Sequence, residues 1–242
     1  NLFGNMSDMH RLEKIAEDHN LYLIEDAAES LGSTLNGIKS GKFGVGSTFS
    51  FHRTKTITTG EGGMLLVDNP ELYERCMFLR DHGRSNSIPY YILEVAHKYM
   101  PFNLQAALGY AQFLRLDELV NKKREQFNFY KESLKDIPDL EFNIEPENVF
   151  NSYWITAIVL GKSHGLNKNE FIRKLADEGA PVRPFFYPLS KLPAYNEFNI
   201  YEDKNVNAYD ISNRGVNLPG AANLTKDQMS FVCDKIRKVL NG

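Results

Sequence analysis

Between Asp8 and His19 the apolar side chains Met9, Leu12, Ile15 and Ala16 recur at the spacing of one helical face, and Ser7 is placed to cap that helix. The run Leu21–Glu25 (LYLIE) follows, short and nearly continuous in its apolar character, as in a strand covered on both faces. Helix followed by buried strand predicts a parallel sheet. Further strands are expected at Ser47–Phe51 and Gly63–Asp68, with the glycine-rich Gly60–Gly63 turning the chain between them. Pro70 then opens a helix that runs to about Asp81. From Asn103 to about Ile137 the pattern is helical, first small and apolar (QAALGYAQFL), then heavily charged (DELVNKKREQFNFYKESLKDI). Residues 119–137 are read as a helix connecting a first domain, 1–118, to a second, 138–242. In the second, a strand at Ser152–Leu160, a helix at Asn167–Gly179, an extended PVRPFFYP and a terminal helix Lys226–Leu240 predict a small α+β unit.

The 242 residues, 42% of them apolar, can bury a large core in one domain or two. The 28 Lys and Arg nearly balance the 31 Asp and Glu, so neither a nucleic-acid surface nor an acidic tail is indicated. Small molecules or other subunits are the expected partners. Cys76 and Cys233 are far apart, which suggests neither a zinc site nor a disulfide framework and fits a reducing, cytoplasmic setting. No apolar run approaches the roughly 18 residues of a membrane span. The chain opens on Asn1, in a loop leading into a helix, and further sequence upstream is expected.

Asp26 directly follows the first strand, at the carboxyl end where open α/β sheets place their ligands; a cap on the following turn is the alternative. Glu29, three residues on, adds a second acceptor on the same side if the segment turns helically. Lys55 lies in SFHRTKTITTGEGG, between a strand and a glycine-rich turn, where its long stem could carry a desolvated amine into a cleft as a Schiff-base former. A solvated lysine beside an ordinary hairpin turn would give the same local sequence. Ser50 could donate to a phosphate or satisfy a strand edge.

Taken together, EDAAES and SFHRTKTITTGEGGM resemble the cofactor site of the DegT/DnrJ/EryC1/StrS aminotransferases, fold-type-I pyridoxal-phosphate enzymes that act on nucleotide-linked keto sugars. The resemblance begins at NLFGNMSDM, includes LRDHGR and KYMPFNLQAALGYAQFLRLDEL, and continues through VRPFFYPLSKLPAY to NLPGAANLTKDQM. It implies a large α/β domain with a small α+β C-terminal domain, and Lys55 as the lysine that carries the cofactor and then moves the proton. It implies Asp26 at the pyridinium nitrogen, Ala28 against the ring face, Glu29 near the phenolic oxygen and Ser50 on the phosphate. Lys98, in HKYMPFN, would reach the phosphate of a neighbouring subunit in a homodimer; an exposed loop lysine is the alternative. Arg183 and Tyr187, in VRPFFYP, are expected to contact the sugar nucleotide or to pack at a domain interface.

The expected reaction moves an amino group from glutamate, leaving 2-oxoglutarate, to a nucleotide-linked 4-keto-6-deoxy sugar. Ser190 stands where the family commonly has His, and His52 and Arg53 where small or aromatic residues are frequent. Those departures bear on the sugar rather than on the cofactor. A dehydratase of the same fold is an alternative, although such relatives usually replace the lysine or recruit an iron–sulfur cluster. A non-catalytic scaffold or sensor is a second alternative, which turnover with glutamate would separate from an enzyme.

Overall fold

A computed structural model describes residues 1–195, 197 and 203–241, which divide into two compact units. The first comprises residues 1–120 with 145–152, the second 121–144 with 153–241.

The first unit opens with α1 (Met9–Asp18), capped by Asp8 rather than Ser7. The Asp8 carboxylate accepts the Arg11 amide at 3.1 Å, placing an anion at the positive end of the helix. The strand β1 (Ile24–Asp26) is shorter than LYLIE because Leu21 still belongs to the helix exit, its amide donating to the Ala16 carbonyl. Two short strands follow, β2 (Thr34–Leu35) and β3 (Ile38–Lys39), then β4 (Gly46–Ser50) and β5 (Gly63–Leu66). β1 runs parallel to β4, as expected, but the LYLIE run is not covered on both faces, since Leu21, Tyr22 and Ile24 are exposed; β5 returns antiparallel through the glycine turn, so this sheet is mixed. Gly44 is required where the loop enters β4: its φ is +72°, and a Cβ there would sit 2.2 Å from the Leu23 carbonyl oxygen. α2 (Pro70–Arg80) starts with proline in its first turn behind the Asn69 cap.

The helical stretch after Asn103 is two helices, α3 (Asn103–Phe113) and α4 (Leu116–Ser133), and α4 carries the chain from the first unit into the second. There β6 (Leu140–Phe142) begins the second sheet. The segment 145–152 belongs to the first unit because β7 (Val149–Phe150) pairs with β2. The expected strand Ser152–Leu160 contracts to β8 (Ala157–Leu160): Ser152 gives its amide to Ser33 Oγ, and Tyr153 adopts φ +47°, which no strand tolerates. α5 (Lys168–Asp177) is held by a capping box between Asn167 and Glu170. β9 (Arg183–Pro184), α6 (Val206–Arg214), β10 (Gly215–Asn217) and α7 (Lys226–Asn241) complete the unit.

The second sheet has the order β6-β8-β10-β9 and is antiparallel throughout. Its buried Ile158, Leu160 and Val216 pack with Tyr130 and Leu134 of α4, Phe171 and Leu175 of α5 and Ile236 of α7 in one apolar cluster. The apolar cluster of the first unit is small: Met6, Met9, Leu35, Phe43 and Val149, with Leu23 against them. None of the helices in the described residues is long and apolar enough to cross a membrane.

Candidate active site

Five of the residues singled out by sequence, Asp26, Ala28, Glu29, Ser50 and Lys55, lie at the carboxyl end of β1 and its neighbour β4. Asp26 ends β1 opposite Thr48 of β4, and the Ala27 amide continues the ladder to the Thr48 carbonyl. Asp26 is exposed, and its Oδ1 accepts the Ala28 amide at 3.0 Å. The carboxylate therefore caps the turn, as the alternative for it holds, and still lies open at the sheet's carboxyl edge. Ala27 is buried and Ala28 half-buried, so the turn is fixed from beneath.

Glu29 follows in that turn. Its Oε2 accepts the Phe3 amide at 3.0 Å, and its Oε1 stands 3.6 Å from Lys55 Nζ, with both side chains largely covered. Lys55 sits in a turn closed by its own amide on the His52 carbonyl at 2.9 Å. Ser50, at the end of β4, accepts the His52 amide at 3.3 Å, and His52 Nδ1 meets Thr54 Oγ1 at 2.9 Å. Ile57, buried two residues later, anchors the segment. Burial holds the Lys55 amine below its ordinary pKa, and the carboxylates of Glu29 and Asp26 oppose that shift without cancelling it. The result is a partly desolvated lysine facing two acidic groups, the environment expected of a nucleophilic or proton-transferring amine.

Beneath these groups lies a carboxylate that the sequence pattern does not single out. Glu25, 2% exposed in the middle of β1, accepts Asn1 Nδ2 at 2.8 Å and Ser40 Oγ at 2.9 Å on one oxygen. Its other oxygen accepts the amides of Gly41 and Phe43 at 2.8 and 3.2 Å. Four donors satisfy the buried charge and tie the loop 40–43 to the strand that ends in Asp26. An acid inside an otherwise apolar run was the available signal.

Lys98 is exposed on a segment that bridges back to Asp81. Arg183 and Tyr187 belong to the second unit. Arg183 is exposed on β9, paired with Asn217 of β10. Tyr187 is exposed, with Lys168 Nζ 3.7 Å from its ring centroid. Ser190 Oγ meets Tyr209 Oη at 2.9 Å. Of the sequence-chosen residues, Asp26, Ala28, Glu29, Ser50 and Lys55 thus share one sheet end in the first unit. The described residues hold no group of three or more His, Cys, Asp or Glu side chains arranged to bind a metal.

The profile of the DegT/DnrJ/EryC1/StrS aminotransferase family matches residues 1–237. The chain is 35% identical over 244 residues to a GDP-perosamine synthase of Vibrio cholerae, covering 99% of this chain and 65% of that protein. It is 35% identical to a GDP-perosamine synthase of Escherichia coli O157:H7, covering 98% and 63%. The chain therefore spans just under two thirds of the length of these relatives. Among solved structures, Helicobacter pylori PseC, an aminotransferase involved in the biosynthesis of pseudoaminic acid, superposes with a TM-score of 0.89 at 23% identity, over 99% of this chain and 65% of that one. That similarity establishes the α/β fold of the type-I pyridoxal-phosphate transferases.

Proposed function

Because the chain belongs to the DegT/DnrJ/EryC1/StrS aminotransferase family, we propose that it serves a pyridoxal-phosphate-dependent transfer of an amino group from glutamate to a nucleotide-linked 4-keto-6-deoxy sugar. The observation that carries the proposal is the Lys55 amine, partly buried and 3.6 Å from Glu29, at the same sheet end as Asp26. These groups fit the cofactor: an amine for its aldehyde, a carboxylate for its ring nitrogen, and the Ser50 hydroxyl for its phosphate. When bound, the cofactor supplies an electron sink for the pair left behind as the amino-bearing carbon loses its proton. Lys55, with its pKa held down by burial, has more of the neutral amine that takes up and returns that proton. Asp26 keeps the ring nitrogen protonated, Ala28 supports the ring face, and Glu29 orients the Lys55 amine.

Kinship with relatives named GDP-perosamine synthase supports a GDP-linked sugar and a place in polysaccharide (O-antigen) assembly. In this reading residues 1–118 are the C-terminal part of the large cofactor-binding domain, 119–137 connect, and 138–242 form the small domain, with β7 as a return to the first. Lys98 acts across a homodimer on the partner's phosphate, and Arg183 and Tyr187 hold the sugar nucleotide. The two free cysteines suit a cytoplasmic enzyme.

The test is the visible absorption of the protein with pyridoxal phosphate, beside Lys55→Ala, followed by turnover with glutamate and the keto sugar. A band that needs Lys55 and fades on adding glutamate is expected, with turnover of Lys55→Ala lower by about 10³-fold or more. Turnover that survives in Lys55→Ala would overturn the proposal.

A further inference from the structure

Helix α3 touches the rest of the first unit in an unusual way. Every one of its positions is exposed except Gln105, Gly109 and Gln112, which share one face at i, i+4 and i+7. Its apolar side chains Leu104, Leu108, Tyr110 and Phe113 are exposed, so apolar packing does not seat it. Amide hydrogen bonds do. Gln112 Nε2 donates to the Thr58 carbonyl at 2.7 Å while its Oε1 accepts the Thr58 amide at 3.1 Å, so one side chain satisfies both backbone groups of one residue. Gln105 Nε2 donates to the carbonyls of Glu61 and Thr59 at 3.1 and 3.5 Å, and its Oε1 accepts the Phe102 amide, closing the start of its own helix. Between them Gly109 leaves room: a Cβ there would lie 2.8 Å from Thr59 Cγ2.

The segment so gripped, 58–61, begins three residues after Lys55. Its other side is also fixed, the Thr59 amide and Thr58 Oγ1 donating to the Phe51 carbonyl at 2.9 and 3.0 Å. The loop that presents Lys55 is therefore tied to Phe51–His52, just beyond β4, and to α3 at Thr58–Glu61, with Ile57 buried between. We propose that Gln105 and Gln112 are positioning residues for Lys55, acting through the backbone of Thr58–Glu61, an inference that rests on the aminotransferase reading above. Side-chain amides suit this role because they direct two donors and two acceptors at fixed backbone atoms, which apolar contacts of equal area do not. Holding the loop keeps the amine in its half-buried place opposite Glu29, and so keeps both its pKa and its angle of attack.

The test compares three variants with the unaltered protein. Gln112→Leu keeps the bulk and removes both bonds. Gln112→Glu keeps only the acceptor for the Thr58 amide. Ala107→Gly weakens the same helix from an exposed position that does not face the loop. Three quantities are measured: the rate at which the Lys55-dependent visible band forms with pyridoxal phosphate, the pH midpoint of Lys55 reactivity toward an amine reagent in the cofactor-free protein, and kcat against KM for glutamate. The expected result for Gln112→Leu is band formation and kcat lower by about tenfold, a midpoint moved up toward that of an ordinary lysine, and KM little changed. Gln112→Glu falls between, and Ala107→Gly matches the unaltered protein. Gln112→Leu at unaltered rates and midpoint, or Ala107→Gly slowed as much as Gln112→Leu, would overturn the inference while leaving the aminotransferase reading standing. Absence of the Lys55-dependent band from the unaltered protein would overturn both.

Discussion

The two compact units are held by different means. In the second, an antiparallel sheet buries Ile158, Leu160 and Val216 against α4, α5 and α7 in one continuous apolar cluster. In the first, the apolar cluster is confined to five buried residues around α1 and the β2–β7 pairing, while α2 and α3 contain no buried residue. Ile24, Met64, Leu65 and Leu66 on its main sheet are exposed. What fixes this unit near β1 is polar: the four-donor Glu25 carboxylate, the Glu29–Lys55 pair and the glutamine amides of α3. Hydrogen bonds add little net stability but specify direction, whereas buried area adds stability and specifies little. Among the described residues, the unit that carries the candidate chemistry is the one with the smaller apolar cluster, and directed hydrogen bonds surround its β1.

Truncating the second core tests this contrast most severely. Phe171 is wholly buried in α5, and Phe171→Ala is expected to cost about 3–5 kcal/mol in urea unfolding, against about 0.5 kcal/mol or less for Leu65→Ala in the first unit. Equal costs would mean that the two units do not differ in packing. Next comes the buried acid. Glu25→Gln keeps the shape but turns two acceptor sites into donors that face other donors, and should cost about 1.5–3 kcal/mol by the same measurement. A neutral effect would show that the carboxylate is not what ties loop 40–43 to β1.

The helices and the ordered motifs were legible in the sequence; the contrast between the units was not, since LYLIE read as a covered strand and Ile24 is exposed. Helical faces such as Met9–Leu12–Ile15 and Phe171–Leu175 declare themselves because a period of 3.6 repeats several times within one element. The two-residue strands Thr34–Leu35, Ile38–Lys39 and Val149–Phe150 could not, since no period is visible in two residues, and Thr34 pairs with Phe150, far along the chain. Asp26, Glu29, Ser50 and Lys55 were found through ordered motifs and do meet at one sheet end. Glu25 was hidden inside an apolar run, its donors being two backbone amides and two side chains 15 and 24 positions away, and Gln105 and Gln112 were hidden inside a helical one, because their partners are backbone atoms, which carry no sequence signature. For the same reason the cap moved from Ser7 to Asp8: both residues suit the position, and only the path of the chain decides between them.

Lys123 probes the same difference from the side of the second unit. Together with Gln126 and Tyr130, on one face of α4, it donates to the consecutive carbonyls of Pro219, Gly220 and Ala221. Burial lowers its pKa from 10.5 to about 8. Between those two values the unfolded chain binds a proton that the folded chain has released, so raising the pH favours the folded state. Below pH 8 both forms are protonated and the cost of the buried charge is constant. Unfolding free energy should therefore climb between about pH 8 and 10.5, by ~1 kcal/mol per pH unit in mid-window, and Lys123→Met should flatten that slope. A slope unchanged in Lys123→Met would assign the rise to other groups.

The smallest effect is read without any substitution, from the one cysteine in each unit. Cys76 is half-buried on α2, whereas Cys233 is buried in α7, where desolvation pushes its thiol up to about 11. Only the thiolate attacks a maleimide, so at pH 8 roughly a thousandth of Cys233 is in the reactive form even before access is considered. Native protein should accept one label, on Cys76, and the second only as urea opens the core, at the same denaturant concentration at which Phe171 and its neighbours lose their packing. Labelling of Cys233 at the rate of Cys76 in native protein would mean that the cluster around α7 opens freely, and the distinction between a unit held by packing and a unit held by directed bonds would lose its physical basis.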